Sequence, residues 1–178
     1  MYLTTASGRA IDIQRITSDD VSILDIAHSL SNLCRFAGHT REFYSVAQHS
    51  VRVAMALPPE LRLAGLLHDA TEAYVVDLPR PIKTLLPDYK KLEARVWEAI
   101  SFRFGVARFE HPLIKEMDNR ALRTEWEELM RHPLPMEFKG LQRLQPEAPL
   151  PPKDAYKLFL LTFAQLSDTT LAHLEAAH

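Results

Sequence analysis

An all-α, single-domain helical bundle preceded by a short N-terminal β-hairpin is the fold class that the sequence predicts. Apolar residues recur at helical spacing through most of the chain, while strand-type alternation is brief and confined to its start. A chain of 178 residues with 47% apolar content builds one good core with little left for a second, so residues 1–178 read as one domain. The hairpin falls at 2–14, around Ser7-Gly8. A first helix follows near 22–35. A second spans 45–57, with Ser45 as cap, Gln48 as its third residue, and Val46, Ser50, Val53 and Leu57 at helical spacing. The third covers 59–75, and a short turn is expected at 81–86. The fourth, 88–104, is bracketed by Asp88 as cap and Gly105 as stop, with Leu92, Val96, Ala99, Ile100 and Phe104 as its buried stripe. In the fifth, 112–131, Pro112 suits the first turn, and Leu113, Ile114, Met117, Ala121, Leu122 and Leu129 mark the buried side. Between 132 and 152 lie Pro133, Pro135, Pro146, Pro149, Pro151 and Pro152, which no regular helix tolerates. A long ordered loop is expected there, covering a site or making an oligomer contact. The last helix, 152–175, carries Tyr156, Phe159, Leu160, Phe163 and Leu166 on the side that packs back onto the bundle.

Within the third helix the run LAGLLHDATEAY places an adjacent histidine and aspartate in apolar surroundings, which is costly without a strong partner. A divalent cation is such a partner. Helical spacing puts His68, Asp69 and Glu72 near one point, giving two ligands and a nearby base. His49 falls on the apolar face of the second helix, and Asp118 points inward from the fifth, between Ile114 and Leu122. Each has a plainer reading: a buried histidine is often a hydrogen-bonded core residue, and Asp118 alone could pair with Arg35 or Arg120. Two imidazoles and two carboxylates converging from three apolar faces nevertheless suit one divalent ion, whether manganese, cobalt, iron, nickel, zinc or magnesium. His111 is the one histidine between Asp69 and Asp118, so one metal is expected rather than two.

This set, a histidine, a histidine-aspartate pair and a distant aspartate, resembles the HD-domain metal-dependent phosphohydrolases over roughly residues 5–130. It is most similar to the small subgroup of bacterial 5′-deoxynucleotidases and phage deoxynucleotide phosphohydrolases. The stretch HDATEAYVVDLPRPIK resembles the subgroup's active-site segment, which implies that Glu72 and Asp77 are catalytic carboxylates. SNLCRFAGHTREFYSVAQHS resembles the segment facing the nucleotide, which implies substrate contacts from Arg35, Phe36 and His39. The resemblance also implies an HD-type bundle and hydrolysis of deoxynucleotides.

The residues suit that chemistry on their own terms. A bound cation lowers the pKa of its water and neutralises phosphate charge. Glu72 is then the best general base or water-positioning group, and Arg35 and Lys83 are clamps for charge on phosphoryl oxygens. Lys83 reads equally well as a solvated lysine. Asp77 would position the nucleophile, protonate the leaving oxygen, bind the sugar, or simply cap a turn. His39 follows Gly38 at a helix end and reads otherwise as support for that terminus. His111, His132 and His178 default to the surface. Few basic residues near the motif favour deoxynucleoside monophosphates as substrate. Triphosphates, cyclic nucleotides, or nucleotide binding without chemistry are the alternatives.

Twenty-one basic and 23 acidic residues leave a net charge of −2, with no footprint for duplex nucleic acid or an anionic membrane. A small nucleotide is the expected partner. Five dispersed glycines make no phosphate-binding glycine loop. A single cysteine, Cys34, fits a reducing cytoplasm, and no apolar run spans a bilayer or resembles a secretion signal. A homo-oligomer is compatible with the apolar content without being required by it.

Overall fold

The computed structural model describes residues 2–106 and 111–176; His178 lies outside them. Among the described residues it is an all-α single domain with one small hairpin. Strands β1 (Leu3–Thr4) and β2 (Ala10–Ile11) pair antiparallel, Leu3 against Ile11 and Thr4 against Ala10. Gly8 turns the chain at φ +82°, a left-handed conformation that costs glycine little. The hairpin is held to the bundle by Asp25, whose two oxygens accept from Ser7 N–H and Ser7 Oγ, both at 2.8 Å.

Helices α1 (Ile23–Asn32), α2 (Val46–Met55) and α8 (Pro152–Leu166) form the centre, and α6 (Pro87–Phe104) closes it. Ile26, Leu30, Val46, Trp97, Ile100 and Phe159 are buried together there. A fully buried side chain of this size contributes roughly 1.5–3 kcal/mol, so these residues alone hold the frame against local strain. A second, smaller cluster joins α2 to α7 (Pro112–Leu129) through Val53, Leu57, Ile114, Met117 and Ala121. The proline-rich segment is a long ordered loop with one 3-10 turn, Met136–Phe138.

Four boundaries differ from the expected ones, each for a local reason. The first helix stops at Asn32 because Leu33 is extended and the following backbone bonds sideways, Arg35 N–H to Tyr44 O (2.8 Å) and Val46 N–H to Leu33 O (3.0 Å). The expected helix 59–75 is three pieces: a 3-10 turn at Pro59–Leu61, α3 (Arg62–Leu66) and α4 (Glu72–Val75). Between them the bonds tighten to three-residue spacing, Ala70 N–H to Leu67 O and Glu72 N–H to Asp69 O, both 3.0 Å. After the short α5 (Arg80–Lys83), α6 begins at Pro87 with Leu86, not Asp88, at the cap; Pro87 lacks the N–H that the first turn would leave unpaired. Leu113, expected to be buried, is exposed in the first turn of α7. The last helix ends at Leu166, where Asp168 turns left-handed (φ +51°) and Thr169 N–H reaches back to Ala164 O (3.0 Å), a Schellman stop before α9 (Leu171–Ala176).

Candidate metal centre

Ser45 caps α2 by accepting from Gln48 N–H (3.1 Å), which sets His49 one turn into the helix and fully buried. Helix α3 crosses α2 closely because residue 65 is glycine: a Cβ there would collide with Leu57 and stand 3.3 Å from Ala54 Cα. That approach carries His68, just past the end of α3, up to His49, their rings 5.3 Å apart. Asp118 arrives from α7, which also packs on α2.

The four ligand candidates meet. His49, His68 and Asp118 each offer a ligand atom within 4.8 Å of the others. His49 Nε2 lies 3.5 Å from both Asp118 Oδ1 and Asp69 Oδ2, and His68 Nε2 lies 3.1 Å from Asp69 Oδ2. The opposite ring nitrogens are spoken for. His68 Nδ1 donates to Gly65 O (2.8 Å), which can only accept, and His49 Nδ1 pairs with Glu125 Oε1 (2.7 Å). In the neutral rings this places the proton on Nδ1 and turns the Nε2 lone pair into the cluster, the usual arrangement of ligating histidines. Both Nε2 atoms are buried without a hydrogen-bond partner, a cost of about 1–3 kcal/mol each. A divalent cation would remove that cost, and two imidazoles with two carboxylates are a donor set it accepts.

The electrostatics describe the same place without a cation. Burial and Arg35 push the His49 imidazolium toward losing its proton, but Glu125 and Asp118 outweigh them and raise its pKa to about 9. Burial opposes ionisation of Asp69 and Asp118, yet His68 and His49 hold both below the usual carboxylate range. Metal binding at this cluster would compete with a proton on His49.

Glu72 is buried at the start of α4; burial, with Asp69 and Asp77 adding, pushes its carboxyl well above the normal range despite Arg35 and Lys83. Its Oε2 has no hydrogen-bond partner. Asp77 is also raised, chiefly by burial against the pull of Arg35, and it caps no helix, since Pro79 stands at the cap of α5. The residue before it, Val76, sits at φ +71° and ψ +149°, a region nearly reserved for glycine. Val76 is held there by its N–H on Glu72 O (2.9 Å) and by Tyr89 Oη on its carbonyl (2.7 Å).

A cavity of about 420 Å³ opens above the cluster, bounded by Glu72, Asp77, Lys83, Arg35, Phe36 and Trp126 among others. Arg35 is buried and binds Glu125 Oε2 through Nε (3.3 Å) and Nη2 (3.2 Å), with Nη1 3.8 Å from Asp69. Phe36 meets Trp126 edge-on at 5.6 Å. Phe36 and Ala37 both have positive φ, so the turn presenting this aromatic is strained. Lys83 is no solvated lysine: Glu93 holds its ammonium, which also lies over the Tyr89 ring. His39 does not line the cavity; it is exposed, and its backbone N–H ends the 3-10 turn Arg35–Gly38 by donating to Phe36 O (3.1 Å). His111 is exposed and caps α7, and His132 is exposed.

Three contributors escape the sequence reading. Glu125, fully buried between Arg35 and Arg52, supports His49, and His49 first, then Arg35 and Arg52, hold its carboxyl down at about 2 against the effect of burial. Its signal was its place two turns beyond Asp118 on the same face of α7. Arg80 and Lys115 are the partners of Asp118, at 3.0 and 2.8 Å, in place of Arg35 or Arg120; Arg120 instead donates to Gln142 O (3.2 Å). The proline-rich loop does cover the cavity through Pro135, Glu137 and Phe138.

The chain is 39% identical to the uncharacterized Escherichia coli K12 protein YfdR over an alignment covering 94% of this chain and 96% of that protein. An uncharacterized protein of Rhodobacter capsulatus is 38% identical over 69% of this chain and 70% of its own length. No protein-family model matches.

Proposed function

The chain belongs to the family of Escherichia coli YfdR, and we propose that it is an HD-type, metal-dependent phosphohydrolase acting on deoxynucleotides. One observation carries this reading: two buried histidine Nε2 atoms, unpaired and facing Asp69 and Asp118 beneath a cavity of nucleotide-compatible size. When bound, a divalent cation supplies Lewis acidity, activating a water and offsetting phosphate charge. Glu72, whose buried carboxyl has a raised proton affinity, would accept a proton from the attacking water. Asp77, raised as well, hands a proton to the leaving oxygen or binds a sugar hydroxyl. Arg35 Nη1 and Lys83 steady the phosphoryl oxygens, and Phe36 with Trp126 gives the nucleoside an aromatic wall.

The simplest substrate is a deoxynucleoside monophosphate, with phosphate as product. The triphosphate is the second reading, and it gains from Arg80 and Lys115, two cations that line the cavity beside Arg35 and Lys83. Among the described residues no helix is long and apolar enough to cross a membrane, and we place the protein in the reducing cytoplasm on the strength of its one free thiol. Mass in solution would decide its oligomeric state.

The test is a panel of deoxynucleoside mono-, di- and triphosphates and cyclic nucleotides with manganese, cobalt, nickel, zinc or magnesium. Metal-dependent phosphate or polyphosphate release is expected, and Glu72→Gln should keep metal binding while turnover falls at least ~10²-fold. Unchanged turnover in Glu72→Gln would remove that residue from the mechanism. Nucleotide binding without hydrolysis of any substrate would make the chain a binding module instead.

A further inference from the structure

The four cations lining the cavity fall into two pairs. Arg35 and Lys83 are tied to carboxylates outside the ligand cluster, Glu125 and Glu93. Among the described residues, Arg80 and Lys115 are not. Both direct their charge at one atom, Asp118 Oδ2, at 3.0 and 2.8 Å, Arg80 from the start of α5 and Lys115 from one turn earlier on α7. The other oxygen, Oδ1, is the one facing His49 Nε2. A single carboxylate therefore serves the ligand cluster with one oxygen and two outer cations with the other.

Those cations are the more exposed of the four, their side chains 47% and 58% exposed. Arg80 is also pre-positioned: it donates to Asn119 Oδ1 (3.0 Å) and lies over the Phe138 ring at 5.9 Å. Both of its hydrogen bonds use Nη2, so Nη1 keeps its N–H groups for a phosphate oxygen. The charge balance points the same way. Six carboxylates and four cations line the cavity, a net excess of negative charge that a divalent ion would cancel. Once Oδ1 shares its charge with a dication, one carboxylate no longer neutralises two further cations, and an anion beside them becomes favourable.

We propose that Arg80 and Lys115 form a clamp at the cavity mouth for phosphate groups beyond the one at the metal, so that the site selects nucleotides carrying a phosphate chain over monophosphates. The proposal rests on the reading of the cavity as a metal-dependent phosphohydrolase site. It replaces the preference for monophosphates, whose premise was a shortage of cations near the motif: Arg80 stands within the stretch HDATEAYVVDLPRPIK and Lys115 three residues before Asp118, and the fold brings both to one carboxylate.

The experiment is calorimetric titration of the manganese-saturated full chain, in the Glu72→Gln background to suppress turnover, with dAMP and with dATP. The triphosphate should bind at least ~10-fold more tightly, as charge-assisted contacts of this kind imply. Arg80→Gln and Lys115→Gln should each remove at least ~3-fold of that advantage, and the double variant nearly all of it, while affinity for dAMP and for manganese stays within ~2-fold. Both side chains are exposed, so thermal midpoints should be unchanged. Equal binding of dAMP and dATP by the parent would overturn the clamp. So would variants that weaken both nucleotides alike or that lose manganese, because the two cations would then merely position Asp118. A triphosphate preference with no hydrolysis by the unmodified chain would leave the clamp standing and sink the proposed reaction; no nucleotide binding would sink both.

Discussion

Gln48 and His49 are neighbours on α2 and both buried, but they face different regions of the molecule and end in different states. Gln48 faces the proline-rich loop, donating from Nε2 to Ala148 O (2.9 Å) and accepting Leu150 N–H at Oε1 (2.9 Å). Its amide is complete, and it pins a segment that no regular structure could hold. His49 faces α3 and α7, with Nδ1 on Glu125 and Nε2 3.5 Å from Asp69 and Asp118, without a hydrogen-bond partner. A buried polar group kept for structure finds its partners within the chain; one kept for a ligand leaves an atom open. The contrast between a closed loop clasp and an open ligand cluster separates residues whose loss should cost stability alone from those whose loss should cost function.

The variant that strains this contrast most is Glu125→Gln. It removes the charge between Arg35, Arg52 and His49 and leaves one amide oxygen where two carboxylate oxygens served Arg35 and His49. Unfolding should become easier by about 3–5 kcal/mol, the usual cost of stripping a partner from buried charges. Manganese affinity should fall about 10–100-fold by calorimetry, as for other second-layer partners of ligating histidines. Gln48→Ala should cost about 1–3 kcal/mol by urea denaturation, leaving two loop backbone groups unpaired, while manganese affinity holds within a few-fold. If manganese binding fell as steeply in Gln48→Ala as in Glu125→Gln, the two faces of α2 would not be independent.

The smallest effect is one of pH. The His49 pKa is raised in the folded, metal-free protein from 6.5 to about 9, so its contribution to stability is complete below 6.5 and is lost as pH rises through about 9. Glu125 runs the other way: depressed from 4.5 to about 2, it contributes above 4.5 and fails as pH falls toward 2. Urea midpoints of the metal-free protein should therefore decline on the alkaline side between 6.5 and 9. Saturating manganese should flatten that decline, because the ion takes the proton's place. A metal-free profile flat across that interval would mean that His49 is neutral throughout.

The sequence was most readable where polar residues interrupt apolar helical faces. His49, His68 and Asp118 stand out for that reason, and all three converge with Asp69. The same logic hides Glu125, since a glutamate on an amphipathic helix reads as solvated unless its distant arginines are known. Arg80 and Lys115 escape for a related cause: Arg80 reaches Asp118 across 38 residues, a pairing that only the packing of α5 beside α7 creates. Backbone departures were hardest to see. Phe36, Ala37 and Val76 take positive φ without being glycine, and the tightened turn at 67–71 keeps the three-to-four spacing of a continuous helix. Gly105, by contrast, stops α6 in the left-handed conformation its residue type announces.

The most direct test is an anomalous-difference map from a crystal of the full chain soaked in zinc. One peak is expected, about 2.0–2.2 Å from His49 Nε2, His68 Nε2 and oxygens of Asp69 and Asp118. A peak held by other residues, or none at this cluster under saturating zinc, would contradict the assignment of the open side of α2 to a metal.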